Sequence, residues 1–225
     1  MNLQELFDGF REPAITAEHV FSGGGLCMTS AIKSLMPGSR FAGRAFTVKT
    51  LPGWTRHSLA ALAAAGRDDV LVIDARGDLE LAAWGGVAHW NAARKGIAAV
   101  VVDGVTRDLQ EIRGTRCPIF ARGQSPPIAT FGPMSAGALQ GPIMCGGVPV
   151  RPGDIVMGDD DGVVVVPIEQ AEECLALARK SVRFDQKEMR WVESGKSIHD
   201  LIAMLWEPDG AAYRANKWRW VDKPD

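Results

Sequence analysis

The sequence lacks the marks of several large classes of protein. Its 225 residues carry a formal net charge of −2, so no concentrated basic surface for nucleic acid is expected. No apolar run approaches the roughly 20 residues that cross a bilayer. Residues 1–16 have no cationic stretch followed by an apolar core, so a signal peptide is not expected there.

Cysteine is scarce and scattered. The four cysteines include no close pair that could hold zinc, and we expect them to be reduced and mostly buried. Hydrophobic residues make up 46% and charged residues 23% of the chain, as in ordinary globular proteins. Together these features predict a soluble, cytoplasmic protein with neither nucleic acid nor a membrane among its partners. The cysteines are Cys27, Cys117, Cys145 and Cys174.

The middle of the chain alternates between strand and helix patterns. Residues 41–50 group β-branched and aromatic side chains as strands do, and residues 70–73 and 97–102 are wholly apolar runs typical of buried strands. Residues 57–65 and 81–95 are predicted to be helices, the second of them starting either at its first residue or only after two glycines. This alternation predicts an α/β fold.

The second half is predicted to be rich in β-structure, because short apolar runs there are separated by Gly, Pro and Asp. A long C-terminal helix is predicted from Ile168, since acidic residues crowd its first turns and basic residues follow, which suits the helix dipole. Gly195 marks its end. Residues 28–35 are also predicted to be helical. Residues 1–195 then form one domain, and residues 196–225, with Trp206, Trp218 and Trp220, form an arm packed on a neighbouring subunit.

Arg107 and Asp108 are predicted to be the centre of a functional site. They follow a buried strand that is expected to end at Asp103-Gly104, and ligands of α/β proteins collect at that edge of the sheet. Arg107 can grip a carboxylate with two parallel hydrogen bonds, and Asp108 offers hard oxygen to Mg²⁺ or Mn²⁺. Taken alone, such a pair is more often a solvated surface feature.

Gly85 and Gly86 come just before a predicted helix. Two glycines there let the backbone approach a ligand closely and direct free N–H groups at an anion. A glycine pair alone is more often a simple turn. Its combination with Arg107 and Asp108 at this spacing favours a site.

Two segments resemble signatures of one known family. Residues 84–108 (WGGVAHWNAARKGIAAVVVDGVTRD) are similar to its W-G, A-x-x-x-G and V-V-x-D-G-x-x-R-D pattern, and residues 145–167 are similar to its second signature. The family includes 4-hydroxy-4-methyl-2-oxoglutarate aldolases, related oxaloacetate decarboxylases and the regulator of ribonuclease E activity A. The resemblance covers about residues 15–190.

The resemblance implies a swivelling β/β/α domain that assembles as a homotrimer or homohexamer. It also implies a divalent-metal-dependent lyase, in which the metal and Arg107 stabilise the enolate formed when a C–C bond breaks beside a 2-keto group. Arg107 would bind the keto acid and act in catalysis, and Asp108 would hold Mg²⁺ or Mn²⁺. The backbone that would bind the substrate carboxylate is that of Gly85, Gly86, Val87 and Ala88.

The chain departs from the aldolase pattern at Gly86, where those enzymes carry an aspartate that helps to transfer a proton. Either another group supplies the proton, or the reaction needs less acid–base help, as in the decarboxylation of oxaloacetate. His89, one helical turn further on, is predicted to face the cleft and to shuttle the proton. The alternative for this histidine is a structural or solvated position.

Two other functions stay open beside the metal-dependent lyase. One is a non-catalytic oligomeric regulator that binds and inhibits a partner protein. Regulator-type members lack the aspartate after the arginine, so Asp108 favours retained metal chemistry. The other is a family enzyme with a shifted substrate, because Gly86 enlarges the cleft.

Overall fold

A computed structural model describes residues 2–129, 131–205, 217–218 and 220–222. Within these ranges the strands are β1 (Leu26–Cys27), β2 (Lys33–Ser34), β3 (Phe41–Lys49), β4 (Asp69–Asp78), β5 (Ala99–Thr106), β6 (Ile119–Gln124), β7 (Ala138–Leu139), β8 (Ile143–Cys145), β9 (Val148–Val150), β10 (Ile155–Asp159) and β11 (Gly162–Val166). The α-helices are α1 (Leu3–Phe10), α2 (Ala17–Ser22), α3 (Arg56–Ala64), α4 (Gly86–Lys95), α5 (Leu109–Arg113), α6 (Ala171–Glu193) and α7 (Ile198–Leu205).

A mixed sheet forms the centre of the fold, in the order β1-β11-β10-β3-β4-β5-β6-β2, with β7 added beside β3. Its four middle strands, β3 to β6, are parallel. The strands on either side of this group pair antiparallel. Helices α3, α4 and α5 connect the parallel strands in turn, which brings the carboxyl ends of β3 to β6 to one edge of the sheet.

The parallel strands are buried on both faces, which explains their continuous apolar sequences. Successive side chains of a strand point to opposite faces. In β4, Leu71 and Ile73 pack under the helices α3 to α5. Val70 and Val72 pack on the other face against residues of the hairpin β8–β9. Helices, main sheet and small sheet therefore form three layers.

Three further helices cover the β10–β11 end of the sheet. Helices α1, α2 and α6 bury Phe10, Val20 and Leu175 against side chains of β10 and β11. The N-terminus of α1 is closed by a capping box between Asn2 and Glu5, which satisfies backbone donors that the first helical turn leaves free.

The α/β class, the strand–helix–strand middle, the β-rich second half and the C-terminal helix are confirmed. Helix α4 begins at Gly86, one residue before the later of the two predicted starts. Strand β5 continues to Thr106, two residues past the predicted end at Asp103-Gly104.

The helix predicted over residues 28–35 is wrong. This segment forms a turn at residues 30–31 and then the short edge strand β2, which pairs with β6. Met28 and Ile32 are buried beneath the main sheet instead of lying on one helical stripe. Pairing with a distant strand thus overrides the local preference for a helix.

Helix α7 packs against the end of α6 in the same chain, with Leu201 and Leu205 buried beside Phe184. Gly195, with φ of +81°, lies in the turn between these helices, as expected for the end of α6. Contact of residues 196–225 with a neighbouring subunit stays a prediction, and Trp206 lies outside the described residues. Among the described residues, no helix combines the length and apolar character needed to cross a bilayer.

Gly43 in β3 lies at a point where the layers of the fold pack closely. A Cβ atom at Gly43 would collide with the carbonyl oxygen of Asp68 and would lie 3.0 Å from a methyl group of Val70. We expect Gly43→Ala to lower the free energy of unfolding by about 1–3 kcal/mol, because the backbone beside it cannot move away. Gly141→Ala is the control, since no atom lies within 4 Å of its added Cβ. Equal urea midpoints for the two variants would contradict this packing.

Candidate active site

The backbone at Trp84 lies alongside the end of strand β5. Trp84 forms an isolated parallel bridge with Thr106, and the Arg107 amide donates to the Trp84 carbonyl oxygen at 3.1 Å. The Thr106 hydroxyl donates to the same oxygen at 3.2 Å. These contacts bring Gly85 and the start of α4 against the turn after β5, although about 20 residues of chain separate them.

The Asp108 carboxylate closes the N-terminus of α4. Its Oδ2 accepts a hydrogen bond from the Gly86 amide at 2.9 Å, and the Nε of Arg107 lies 3.5 Å from the same oxygen. Gly85, the residue that precedes α4, has no side chain to cap the helix. Asp108 itself has φ of +60°, a conformation that non-glycine residues seldom adopt and that occurs more often at functional sites.

Both glycines lie close to Asp108, and a side chain is least easily accommodated at Gly86. A Cβ atom at Gly85 would lie 2.9 Å from Asp108 Oδ2, and one at Gly86 would lie 2.9 Å from Asp108 Cβ and 3.3 Å from Glu111 Cβ. The space beside residue 86 is therefore already bordered by two acidic residues. Glu111 is exposed, and its relation to Gly86 was missed in the sequence because it arises only when α5 meets α4.

The first turn of α4 provides donors for an anion. The amides of Val87 and Ala88 have no acceptor within the helix, because the first turn of every α-helix leaves its donors free. The positive end of the helix dipole lies at the same place. Val87, Ala88, Gly85, Arg107 and Asp108 all line one cavity. The structure thus brings these five residues together, whereas Gly86 is not among the lining residues and its amide is bonded to Asp108.

The cavity has a volume of about 310 Å³, and the side chains of Arg107 and Asp108 in it are 38% and 37% exposed. Its opposite wall comes from α3 and from Ile128 and Phe131, which no sequence pattern connected with the site. Hydrogen bonds from Arg56 N to Phe131 O and from Ala129 N to Gly53 O hold that wall together. The lining residues beyond the five named above are Thr55, Ser58, Leu59, Leu62, Ala83, Trp84, Asn91, Ile128 and Phe131.

His89 does not face the cleft, so its predicted role as a proton shuttle is wrong. The side chain is fully buried. The Trp84 Nε1–H donates to His89 Nδ1 at 3.1 Å, which leaves the proton on Nε2 to donate to the Cys117 carbonyl oxygen at 2.9 Å. Burial lowers the pKa of His89 below its ordinary value, against a smaller opposite effect of the Cys117 carbonyl. The ring holds the start of α4 to the segment before β6.

The donor atoms of the site fit a hydrated Mg²⁺ or Mn²⁺ better than a fully enclosed metal. Asp108 Oδ2 is occupied by the Gly86 amide, but Oδ1 accepts no hydrogen bond from the described residues. Mg²⁺ usually binds through one or two carboxylates and keeps several waters. One partly exposed carboxylate oxygen in a solvent-filled cavity meets that requirement.

A second group of possible metal ligands lies elsewhere, at Glu18, His19 and Asp185. There, His19 Nδ1 accepts from the Thr16 amide at 3.1 Å, and Nε2 lies 2.9 Å from Asp185 Oδ2. Both ring nitrogens are therefore engaged, and His19 takes part in the capping box of α2. The capping box of α2 and the contact with Asp185 of α6 account for both nitrogens of His19.

Comparison with known proteins places the geometry in a family. A family model described as RraA-like, Aldolase/RraA, matches residues 13–165. The chain belongs to the RraA-like family. The match contains the whole segment from Trp84 to Asp108, so the family predicted from that segment is confirmed.

Relatives of this RraA-like protein carry names of two functional kinds. A protein of Halalkalibacterium halodurans named as a candidate 4-hydroxy-4-methyl-2-oxoglutarate aldolase is 40% identical over 163 residues, covering 72% of this chain and 77% of that protein. The solved structure of Streptomyces coelicolor RraAS2, described as an unusual member of the RNase ES inhibitor RraA family, has a TM-score of 0.70 and 29% identity, with 82% and 96% covered. An uncharacterized Pseudomonas syringae protein has a TM-score of 0.74 and 26% identity, with 88% and 96% covered.

Burial of His89 predicts a specific acid sensitivity. Because the folded protein holds the pKa of His89 below the ordinary 6.5, the unfolded chain takes up a proton at higher pH than the folded chain. The contribution of His89 to stability is therefore complete above about pH 6.5, and it is lost as the pH falls through that value toward the folded pKa. Urea unfolding at about pH 7.5 and about pH 5.5 should show a smaller loss for His89→Gln than for the wild type. An identical loss would contradict the buried neutral ring.

The glycine at position 86 predicts the effect of adding a side chain there. Gly86→Ala should lower the free energy of unfolding by about 1–3 kcal/mol, because the new Cβ meets the Cβ of Asp108, which is attached directly to the backbone. A carboxylate at this position would therefore displace Asp108 unless α5 shifts. Gly66→Ala is the comparison, since the nearest atom to its added Cβ is Asp69 Oδ2 at 3.8 Å. Circular dichroism melts that place Gly86→Ala at or above the wild type would overturn the steric argument.

Proposed function

We propose that this protein is a divalent-metal-dependent lyase that cleaves a C–C bond in a small carboxylated 2-keto acid. The reaction is of the 4-hydroxy-4-methyl-2-oxoglutarate aldolase type, oxaloacetate decarboxylation, or both. The observation that supports it is the convergence of one guanidinium, one carboxylate with a free oxygen, and the free amides of a helix N-terminus on a single cavity.

The positive groups bind the keto-acid end of the substrate. The Arg107 guanidinium offers a planar pair of donors that matches a carboxylate. The amides of Val87 and Ala88 add donors whose direction is set by α4, so they need no reorganisation when the substrate arrives. Together these groups orient the bond that breaks beside the 2-keto group.

Asp108 holds the metal in this proposal, through Oδ1 and with water in the remaining positions. Lewis-acid stabilisation of the negative charge that develops on the keto oxygen is the chemistry that Mg²⁺ or Mn²⁺ supplies when bound. The hydrogen bond from the Gly86 amide keeps Oδ2 in place, so the carboxylate is oriented before any ligand enters. In this proposal the left-handed backbone of Asp108 serves two roles, since Oδ2 accepts the hydrogen bond from Gly86 and Oδ1 holds the metal.

Proton transfer does not pass through His89, because both ring nitrogens are occupied in the interior. Glu111 is the acidic residue nearest to the missing side chain of Gly86, apart from Asp108. Decarboxylation needs less acid–base catalysis than aldol cleavage, because carbon dioxide leaves without loss of a hydroxyl proton. The site therefore supports decarboxylation with Arg107 and Asp108 alone, and aldol cleavage with solvent as the proton acceptor.

Substitutions of the central pair test the proposal. With Mg²⁺ or Mn²⁺ present, Arg107→Ala and Asp108→Asn should each lower kcat/KM for pyruvate release from oxaloacetate by about 100-fold or more, since each removes a charge that stabilises the transition state. Coupled lactate dehydrogenase measures the pyruvate. Calorimetry adds a readout independent of turnover: Asp108→Asn should lose Mn²⁺ binding, whereas Arg107→Ala should keep it.

Two exposed residues outside the cavity serve as matched controls, Arg94→Ala and Asp161→Asn. Both should retain wild-type turnover and Mn²⁺ affinity. Full activity in Arg107→Ala and Asp108→Asn would show that the site lies elsewhere.

The second candidate is a non-catalytic oligomeric regulator, favoured by the likeness to RraAS2. In that case the protein releases pyruvate from no 2-keto acid in a panel, with or without metal, and acts through its surface. For either function we propose a homotrimer or homohexamer, with the half-exposed Trp90 of α4 as a candidate contact. Light scattering of the purified protein distinguishes three from six subunits.

A further inference from the structure

A second cavity lies at the opposite edge of the main sheet from the candidate active site. The parallel strands β3 to β6 begin at this edge, and the residues just before three of them, Arg40, Ala98 and Pro118, line the cavity. Its volume is about 360 Å³. Ala98 precedes β5 and Arg107 follows it, so the 8 residues of that strand, at about 3.3 Å each, put roughly 25 Å between the two cavities. The ionisable side chains that line this amino-edge cavity are Arg11, Arg40, Asp68 and Arg116.

Backbone oxygens hold the guanidinium of Arg40 in place. Its terminal nitrogens donate to the carbonyl oxygens of Glu12, Pro13 and Ile15, at 2.9, 2.8 and 2.7 Å. No carboxylate of the described residues forms an ion pair with it. Carbonyl groups fix the position of a guanidinium without cancelling its charge, and arginine keeps its proton in proteins. Arg40 therefore brings an oriented positive charge that is not compensated.

Arg11 reaches the same cavity from the end of α1 and is only partly neutralised. Its Nε donates to the Ala42 carbonyl oxygen at 3.0 Å, and Nη2 lies 3.1 Å from Asp68 Oδ1. Asp8 is further away, with Oδ1 3.9 Å from Nη1. The Asp68 side chain is 53% exposed, and an ion pair so open to water contributes little. An anion of greater charge can therefore replace Asp68 as the partner of Arg11.

Arg116 supplies a third guanidinium from the loop between α5 and β6. It is exposed, and its side chain forms no hydrogen bond or ion pair with the described residues. The described lining of the cavity thus holds three positive charges against the one carboxylate of Asp68. A concave surface with charge of one sign concentrates counter-ions of the other sign. The excess of two positive charges suits an anion that carries about two negative charges.

We propose that the amino-edge cavity is a second ligand site, which binds the phosphate group of a small molecule through Arg11, Arg40 and Arg116. A phosphate group carries a charge of about −1.5 to −2 at pH 7 and several acceptor oxygens. Guanidinium groups that come from three different elements can each pair with it. A carboxylate has a smaller charge and two oxygens in one plane, which suits a single guanidinium. Nucleic acid would need a basic surface extended over one face, whereas these arginines meet in one cavity.

Calorimetry with the intact protein in a phosphate-free buffer tests the site, at about pH 7.5, where phosphate is mostly a dianion. Inorganic phosphate should bind once per chain, and succinate, whose two charges lie on separate carboxylates, should bind at least about tenfold more weakly. Arg116→Ala should weaken phosphate binding about tenfold or more, because it removes one charge-assisted pair and no contact inside the protein. Arg94→Ala is the matched control, since Arg94 is exposed and lies on α4, outside this cavity. It should bind phosphate as the wild type does.

Substitution of Asp68 distinguishes a binding site from a structural contact. Asp68→Asn removes the charge that competes with the ligand for Arg11, and it keeps the shape of the side chain. Asparagine also tolerates the φ of +68° found at this position. Phosphate should therefore bind about threefold tighter or more. Unchanged or weaker binding would contradict the charge balance.

Phenyl phosphate identifies the source of the phosphate group. Tighter binding than that of inorganic phosphate would show that the ligand is an ester, whose organic group contacts the lining at Phe41 and Pro118. Equal binding would show that the ligand is free phosphate. Either result supports the site, provided that Arg116→Ala weakens it.

Other results would overturn the inference. They are an absence of phosphate binding by the wild type, and binding that Arg116→Ala leaves unchanged. Loss of binding in Arg107→Ala, with none in Arg116→Ala, would place the anion in the candidate active site. Binding of a single-stranded RNA oligonucleotide but not of inorganic phosphate would indicate an extended basic surface. If light scattering shows that Arg116→Ala changes the mass of the assembly while Arg94→Ala does not, the arginines contact a second copy of the chain.

Discussion

The hydrogen bond between the Gly86 amide and the Asp108 carboxylate is the interaction on which the site depends. It joins the start of α4 to the turn after β5, two parts of the chain that meet only in the folded protein. Asp108 has a left-handed backbone there, and a Cβ atom at Gly85 or Gly86 would lie 2.9 Å from an atom of its side chain. Asp108 Oδ1 accepts no hydrogen bond from the described residues, and Val87, Ala88 and Arg107 line the same cavity.

Buried hydrogen-bonding groups lie beneath this junction and stabilise it. Trp84 accepts hydrogen bonds from the end of β5, and its indole donates to His89, which in turn donates to the backbone at Cys117. Each of these polar groups is satisfied inside the core, where an unpaired partner would be costly. The sheet beneath is buried on both faces and close-packed, so the charged end of the cavity rests on a rigid base. The apolar wall formed by Leu59 of α3, Ile128 and Phe131 is more exposed and shapes the other side.

Membership in the RraA-like family leaves catalysis and regulation both open, because relatives of each kind share the fold. A fold that supports several functions does not show which of them a protein performs, whereas the groups in the cavity indicate which ligands it can bind. Arg107, Asp108 and the amides of α4 suit a keto acid and a hydrated divalent cation. Glycine stands at position 86 where the aldolase pattern has an aspartate, and the space beside it is bordered by Asp108 and Glu111.

The sequence alone determined the α/β alternation, the β-rich second half, and the position of Arg107 and Asp108 beyond a buried strand. These features arise from local patterns: apolar runs, glycines before a helix, and charges at a strand end. Tertiary structure decided the rest. It placed His89 in the core, drew Lys33 and Ser34 into an edge strand, set Glu111 beside Gly86, and built the apolar wall from distant segments. Side-chain burial and hydrogen-bond partners depend on contacts between residues far apart in the chain, and no local pattern contains that information.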